Sequence, residues 1–135
     1  MSRNKIYKNT PLVMRRILLI DDEERLSEVV QTCLEILGGW EVLIATTANE
    51  GLLIAEIEQP NAILLDVMLP EMDGITLFHH LQEKPHTQSI PVILLSAKIQ
   101  FPSNQFAHLG VAGVIAKPFD PLKLADQVAK ILNWS

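Results

Sequence analysis

Five short apolar runs, each followed by a segment of helical period, constrain the fold of this chain more than any other feature. They span residues 17–20, 40–45, 62–65, 91–95 and 114–116. Four of them end on a residue able to do chemistry: the first on Asp21-Asp22, the third on Asp66, the fourth on Ser96 and the fifth on Lys117. Near-continuous apolar runs of this length suit strands buried on both faces. Strands alternating with helices, without an internal repeat, predict an α/β architecture: a doubly wound five-stranded parallel sheet covered on both faces and joined by right-handed crossovers.

The intervening segments carry helix signals of their own. Leu26, Val29, Val30, Cys33, Leu34 and Leu37 fall on one face of a helix that Gly38-Gly39 stops. Thr47-Ala48-Asn49-Glu50 is a capping box opening a helix to about residue 58, and Gln59-Pro60 ends it. After the Asp73-Gly74 turn, residues 75–82 form a helix with Leu77, Phe78 and Leu81 inward, closed by Pro85. A short fourth helix falls within residues 102–109, where Pro102 fits only the first turn. Asp120-Pro121 is an N-cap followed by proline at the first helical position. The last helix then runs to about residue 132 and is expected to bury Leu122, Ala125, Val128, Ala129 and Leu132.

Composition bounds the function. With 48% hydrophobic and 20% charged residues in 135, the chain is one globular domain rather than a disordered or fibrous one. The net charge of -5 divides unevenly: residues 1–16 hold five cations and no acid, leaving six cations against sixteen acids in the remainder. Residues 1–14 are read as a flexible basic arm and residues 15–135 as the folded domain. So acidic a domain speaks against direct nucleic-acid binding. The longest apolar runs are too short to span a membrane. One cysteine, Cys33, excludes an intrachain disulfide and fits a reducing, cytoplasmic setting; its place on the apolar stripe makes it a core residue. The four histidines have no metal-site spacing and read as surface residues, and Trp40 and Trp134 read as packing anchors.

Ligands of open parallel sheets bind beyond the carboxyl ends of the strands, which makes the strand ends the candidate site. If strands one, three and four are neighbours, Asp21, Asp22, Asp66, Ser96 and Lys117 converge there. Two like charges ~4 Å apart cost roughly 4 kcal/mol at an effective dielectric near 20. Such a cluster therefore either raises its carboxyl pKa values or binds a divalent cation. Oxygen ligands around a small open site suit Mg²⁺. A carboxylate beside a cation, a hydroxyl and an ammonium is equipment for accepting a phosphoryl group. Taken alone, Asp21-Asp22 reads equally as a solvated helix cap; the convergence at several strand ends does not.

Asp21-Asp22 after a strand, Asp66-Val67-Met68-Leu69-Pro70-Glu71-Met72-Asp73-Gly74, Ser96-Ala97 and Lys117-Pro118-Phe119 together resemble the receiver domain of two-component response regulators. The resemblance spans residues 15–132 and implies a flavodoxin-like sheet in the order 2-1-3-4-5. It implies that Asp66 takes a phosphoryl group from the phosphohistidine of a sensor histidine kinase or histidine phosphotransfer protein. Mg²⁺ would be held by Asp22 and Asp66 directly, by Asp21 mainly through water, and by the Met68 backbone carbonyl. Lys117 would pair with the phosphoryl oxygens, Ser96 would swing its hydroxyl onto them, and the Lys117-Pro118 bond would be cis. Such a domain is not a turnover enzyme but assists its own phosphorylation and dephosphorylation.

The chain departs from the family where a switching Tyr or Phe usually stands, three residues before the lysine; here it is Val114. Met68 and Lys98 occupy positions that tune water attack in the family, and apolar Met68 points to slow dephosphorylation. Since residue 135 follows the last helix closely, a stand-alone receiver is expected, acting on a downstream protein target, with weak dimerisation through the face between the fourth and last helices. A flavodoxin-like FMN carrier is disfavoured because Asp21-Asp22-Glu23-Glu24 would repel its phosphate, a dinucleotide site lacks its glycine fingerprint, and a dehalogenase-like phosphatase would want an aspartate at Met68. The alternative reading is a receiver-like protein-interaction module that works without phosphorylation.

Overall fold

The computed structural model describes residues 14–97 and 109–134. Its elements are β1 (Arg16–Ile20), α1 (Glu24–Cys33), β2 (Glu41–Ala45), α2 (Ala48–Glu58), β3 (Ala62–Asp66), α3 (Gly74–Glu83), β4 (Val92–Ala97), β5 (Gly113–Lys117) and α4 (Pro121–Leu132). The strands form one parallel sheet in the order β2-β1-β3-β4-β5, as expected. The predicted helix within residues 102–109, Lys98 and the basic arm lie outside the described residues.

Alternation along the strands sends successive side chains to opposite faces and divides the core in two. Leu18, Ile20, Ile63, Leu65 and Leu94 pack with Ala48 and Ala55 of α2 and Leu77, Phe78 and Leu81 of α3. Ile17, Leu19, Leu64, Ile93 and Leu95 pack on the other face with Val30 and Leu34 of α1 and Leu124, Ala125 and Val128 of α4. Two close approaches need glycine. A Cβ on Gly51 would stand 2.6 Å from Ile20, and one on Gly113 would stand 2.8 Å from Ile131, so α2 and α4 seat directly on the sheet.

Helix ends follow the chemistry of their caps. Thr47 accepts from the Glu50 N–H at 3.1 Å, while the Glu50 carboxylate reaches back to the N–H of Thr46, one residue beyond the standard box. Asp73 and Asp120 cap α3 and α4. Lys84 adopts an extended conformation before Pro85 and ends α3.

Burial expectations for the first and last helices need correction. The first helix widens into a π-turn over Leu34–Gly38, closed by left-handed Gly39. This wider turn carries Leu37 off the buried face, and Val29 is exposed as well. Val30 and Leu34 are buried as expected, Ser27 joins them, and Cys33 is only half-buried. In α4 the inward leucine is Leu124, and Leu122, in the first turn beside the cap, is exposed. Two of the five cations grouped with the basic segment belong to the fold. Arg16 pairs with Glu41 at 3.2 Å and with Glu58, and Arg15 lies 4.5 Å from the ring centre of Trp134. Trp134 in turn meets Trp40 edge-on at 5.2 Å. His79, His80 and His86 are exposed or partly exposed, as expected of surface residues.

Candidate phosphoryl-transfer site

Ladder hydrogen bonds carry the carboxyl ends of the central strands to one level. The Asp21 N–H donates to the Ala45 carbonyl at 3.1 Å, and the Val67 N–H donates to the Leu95 carbonyl at 3.0 Å. These bonds extend the sheet just past β1 and β3 and orient the two aspartates above it. The start of α3 closes over the same point. The Gly74 N–H donates to the Val67 carbonyl at 2.7 Å, and a Cβ there would stand 2.6 Å from the Asp66 carbonyl oxygen. The Asp73-Gly74 turn is thus required by the close approach of a helix to the backbone of Asp66.

Carboxylate oxygens of Asp21, Asp22 and Asp66 lie within 4.8 Å of one another. Asp21 and Asp66 are buried, whereas Asp22 is exposed. Lys117, at the end of β5, reaches into this group: its Nζ is 3.2 Å from Asp21 Oδ2, 3.3 Å from Asp66 Oδ2 and 3.5 Å from Glu23 Oε1. Backbone donors hold the far sides of both aspartates. Glu23 N–H donates to Asp21 Oδ1 at 3.0 Å, and Met68 N–H donates to Asp66 Oδ1 at 3.1 Å.

Burial dominates the titration of Asp66. It pushes the carboxyl up to about 6, the nearby Asp21 charge adds to this, and the Met68 N–H and Lys117 only partly offset it. Burial alone would lower Lys117, but the Asp21 and Asp66 carboxylates outweigh it and hold the ammonium above its ordinary value. The site therefore has a deficit of positive charge.

An all-oxygen donor set with carboxylates this close fits a small hard cation. Asp21, Asp22 and Asp66 supply the side chains, and the Met68 carbonyl is on the adjoining loop. Ser96 is buried one residue beyond Leu95, the register partner of Asp66, with its hydroxyl turned toward the Ala97 carbonyl at 3.4 Å. It is beside the site without bonding to it. Pro118 follows a cis bond from Lys117, and Val114 lies on β5 opposite Leu94, half-buried against the α2–α3 core. Glu23 is the participant that the sequence did not single out; its only signal was its place in the acidic run after β1.

This fold, with an acidic cluster and a lysine at the sheet's carboxyl edge, defines a doubly wound domain built to handle a phosphoryl group. The chain matches the response regulator receiver domain family over residues 17–129 and belongs to it. It is the phosphoacceptor type of domain used in two-component signalling, and receiver domains bind Mg²⁺ at such an acidic pocket. It is 36% identical over 122 residues to the alkaline phosphatase synthesis transcriptional regulatory protein PhoP of Bacillus subtilis, covering 90% of this chain and 50% of that protein. It is also 36% identical to the DNA-binding dual master transcriptional regulator RpaA of Synechocystis, covering 89% of this chain and 50% of that protein. A response regulator structure from Chloroflexus aurantiacus superposes with a TM-score of 0.77 at 31% identity, covering 89% of this chain and 98% of that one.

The chain spans about half the length of the curated relatives it matches. The expectation of no direct nucleic-acid partner therefore does not extend to the relatives, one of which carries DNA binding in its name. No helix among the described residues is long and apolar enough to cross a membrane.

Proposed function

We propose that Asp66 is the phosphoacceptor of this receiver, loaded from a phosphohistidine of a sensor histidine kinase or histidine phosphotransfer protein. The observation that carries the reading is its buried carboxylate at the end of the central strand β3, 3.3 Å from Lys117 and inside the acidic trio. In the transfer, a carboxylate oxygen of Asp66 attacks phosphorus as the P–N bond breaks. The electron pair of that bond stays on the imidazole, which takes up a proton, and Asp66 becomes an acyl phosphate. Asp21, Asp22, Asp66 and the Met68 carbonyl are assigned as holders of Mg²⁺, which when bound neutralises the charge gathering on the transferring oxygens.

Lys117 is the fixed ammonium for those oxygens. Ser96 is the mobile donor: its weak contact to Ala97 costs little to exchange for a phosphoryl oxygen, and this exchange begins the change of conformation that a downstream protein reads. With Val114 in place of an aromatic residue, the readout runs through the backbone around β4 and β5. Hydrolysis returns the domain to its resting state when water attacks phosphorus and the bond to Asp66 breaks. A cytoplasmic setting, where a kinase and a lone reduced cysteine coexist, fits this cycle.

Incubation with Mg²⁺ and acetyl phosphate tests the assignment. Intact mass should show one phosphoryl adduct on the wild-type chain and none on Asp66→Asn. An adduct of equal extent on both proteins would refute Asp66, and no adduct on either would favour the phosphorylation-independent interaction module.

A further inference from the structure

Of the two carboxylates in the acidic run after β1 that the assignments above leave unused, Glu23 is the one that meets Lys117. Glu23 stands at the N-cap of α1, yet its side chain makes no capping hydrogen bond. Its backbone N–H is fixed on Asp21 Oδ1, and its side chain, 62% exposed, turns instead toward Lys117 at 3.5 Å. There it edges a groove of about 380 Å³ lined by Leu26, Ala97, Lys117, Pro118 and Phe119.

Lys117 therefore faces three carboxylates with different fates. Asp21 and Asp66 lie in the cluster assigned to the cation, and a shared divalent charge weakens their hold on the ammonium. Glu23 lies outside that cluster, so its attraction for Lys117 persists when the others are neutralised. A phosphoryl group arriving at Asp66 must then compete with Glu23 for the lysine.

We propose that Glu23 is a positioning residue acting through Lys117: it draws the ammonium toward the rim of the resting domain and releases it to the phosphoryl oxygens, so limiting how fast Asp66 is loaded. The inference rests on the reading of Asp66 as phosphoacceptor. Glu23 is exposed while Lys117 is largely covered, and with one partner in solvent the effect has the size of a surface ion pair.

Single-turnover loading by acetyl phosphate with Mg²⁺, followed by intact mass, tests this. Glu23→Gln and Glu23→Asp should each load about two- to fivefold faster than wild type. Aspartate keeps the charge but is one carbon–carbon bond, ~1.5 Å, shorter and loses the contact. The gain should shrink at high salt and vanish when Lys117 is also changed to Ala. Mg²⁺ affinity measured by calorimetry should stay at the wild-type value in Glu23→Gln.

Equal or slower loading of both variants would overturn the proposal. A gain confined to Glu23→Gln, or one that persists with Lys117→Ala, would assign the effect to charge alone. If the double variants load too slowly to time, a gain in Glu23→Gln that ignores salt overturns it instead. A changed Mg²⁺ affinity would place Glu23 among the cation ligands. Failure of the Asp66 reading looks different: the wild type takes up no phosphoryl group, or Asp66→Asn takes one.

Discussion

Asp66 is held in a form that works against folding at neutral pH. Its carboxyl is pushed up from 3.8 to about 6 by burial, so only between those values does the native state keep a proton that the unfolded chain releases. Below pH 4 both states are protonated and the group costs nothing. Between about pH 4 and 6 the native state binds more protons, so stability falls as pH rises, the reverse of a salt-bridged aspartate. Metal-free protein should lose up to about 3 kcal/mol from this source across that window. Urea titrations with chelator present should show the loss in the wild type and not in Asp66→Asn. Lys117 acts in the other direction. Its raised folded pKa gives stability that is complete below 10.5 and is lost only as pH climbs through the still higher folded value. With Asp66 as the proposed phosphoacceptor, Met68 is expected to bear on lifetime rather than stability. Its N–H holds Asp66, but its half-exposed thioether side chain cannot orient a water for attack on phosphorus. Met68→Asn should therefore shorten the acyl-phosphate half-life by roughly tenfold, as read by decay of the phosphoryl adduct after removal of donor.

At the level of the element, the edge strand β2 illustrates where pattern reading stops. In a parallel pair both polar groups of a residue face the same side, and those of Val42 face away from β1. Gln31 donates to its carbonyl at 2.9 Å, and its N–H donates to Glu35 at 3.3 Å, so side chains from α1 and the π-turn cover the edge at Val42, which would otherwise be open to pairing. Glu35 sits in the π-turn, whose wider winding also exposes Ile36 and Leu37. Periodicity at 3.6 residues assumes an unbroken α-helix, so it put Leu37 inside and could not register the turn. The strands were legible because every one of Leu64, Leu65, Ile93 and Leu94 is buried, and burial on both faces leaves an unbroken apolar run. The site was legible because Asp21, Asp66 and Lys117 are fixed by strand ends. Glu23 was not, since its role comes from a contact 94 positions away along the chain, with Lys117. Caps behave more locally. Thr47→Ala removes the acceptor of the Glu50 N–H and should cost about 1 kcal/mol in chemical denaturation.

For the whole molecule, charge and architecture meet at one end of the sheet. Counting from residue 15, where the fold begins, eight cations face sixteen acids, an excess of eight negative charges. Any salt relieves such general repulsion by screening. The three clustered aspartates require something more specific, because they oppose one another across a few ångströms and two of them are buried, where mobile ions cannot screen them. The site exists only when β1 and β3 are paired, and a divalent cation held there binds the native chain but not the unfolded one. Binding then stabilises the fold through mass action, by about 2.7 kcal/mol at a hundredfold excess over the dissociation constant. MgCl₂ should accordingly raise the melting temperature well above that in NaCl of equal ionic strength. Asp22→Asn should abolish the difference, since Asp22 is exposed and its substitution disturbs the ligand set without disturbing the core. If NaCl matched MgCl₂ in the wild type, the stabilisation would be screening of the acidic surface, and the cluster would hold no ion. Separate curves for the two salts would instead tie the folding energy of both sheet faces to the same cation that the proposed function sets beside Asp66.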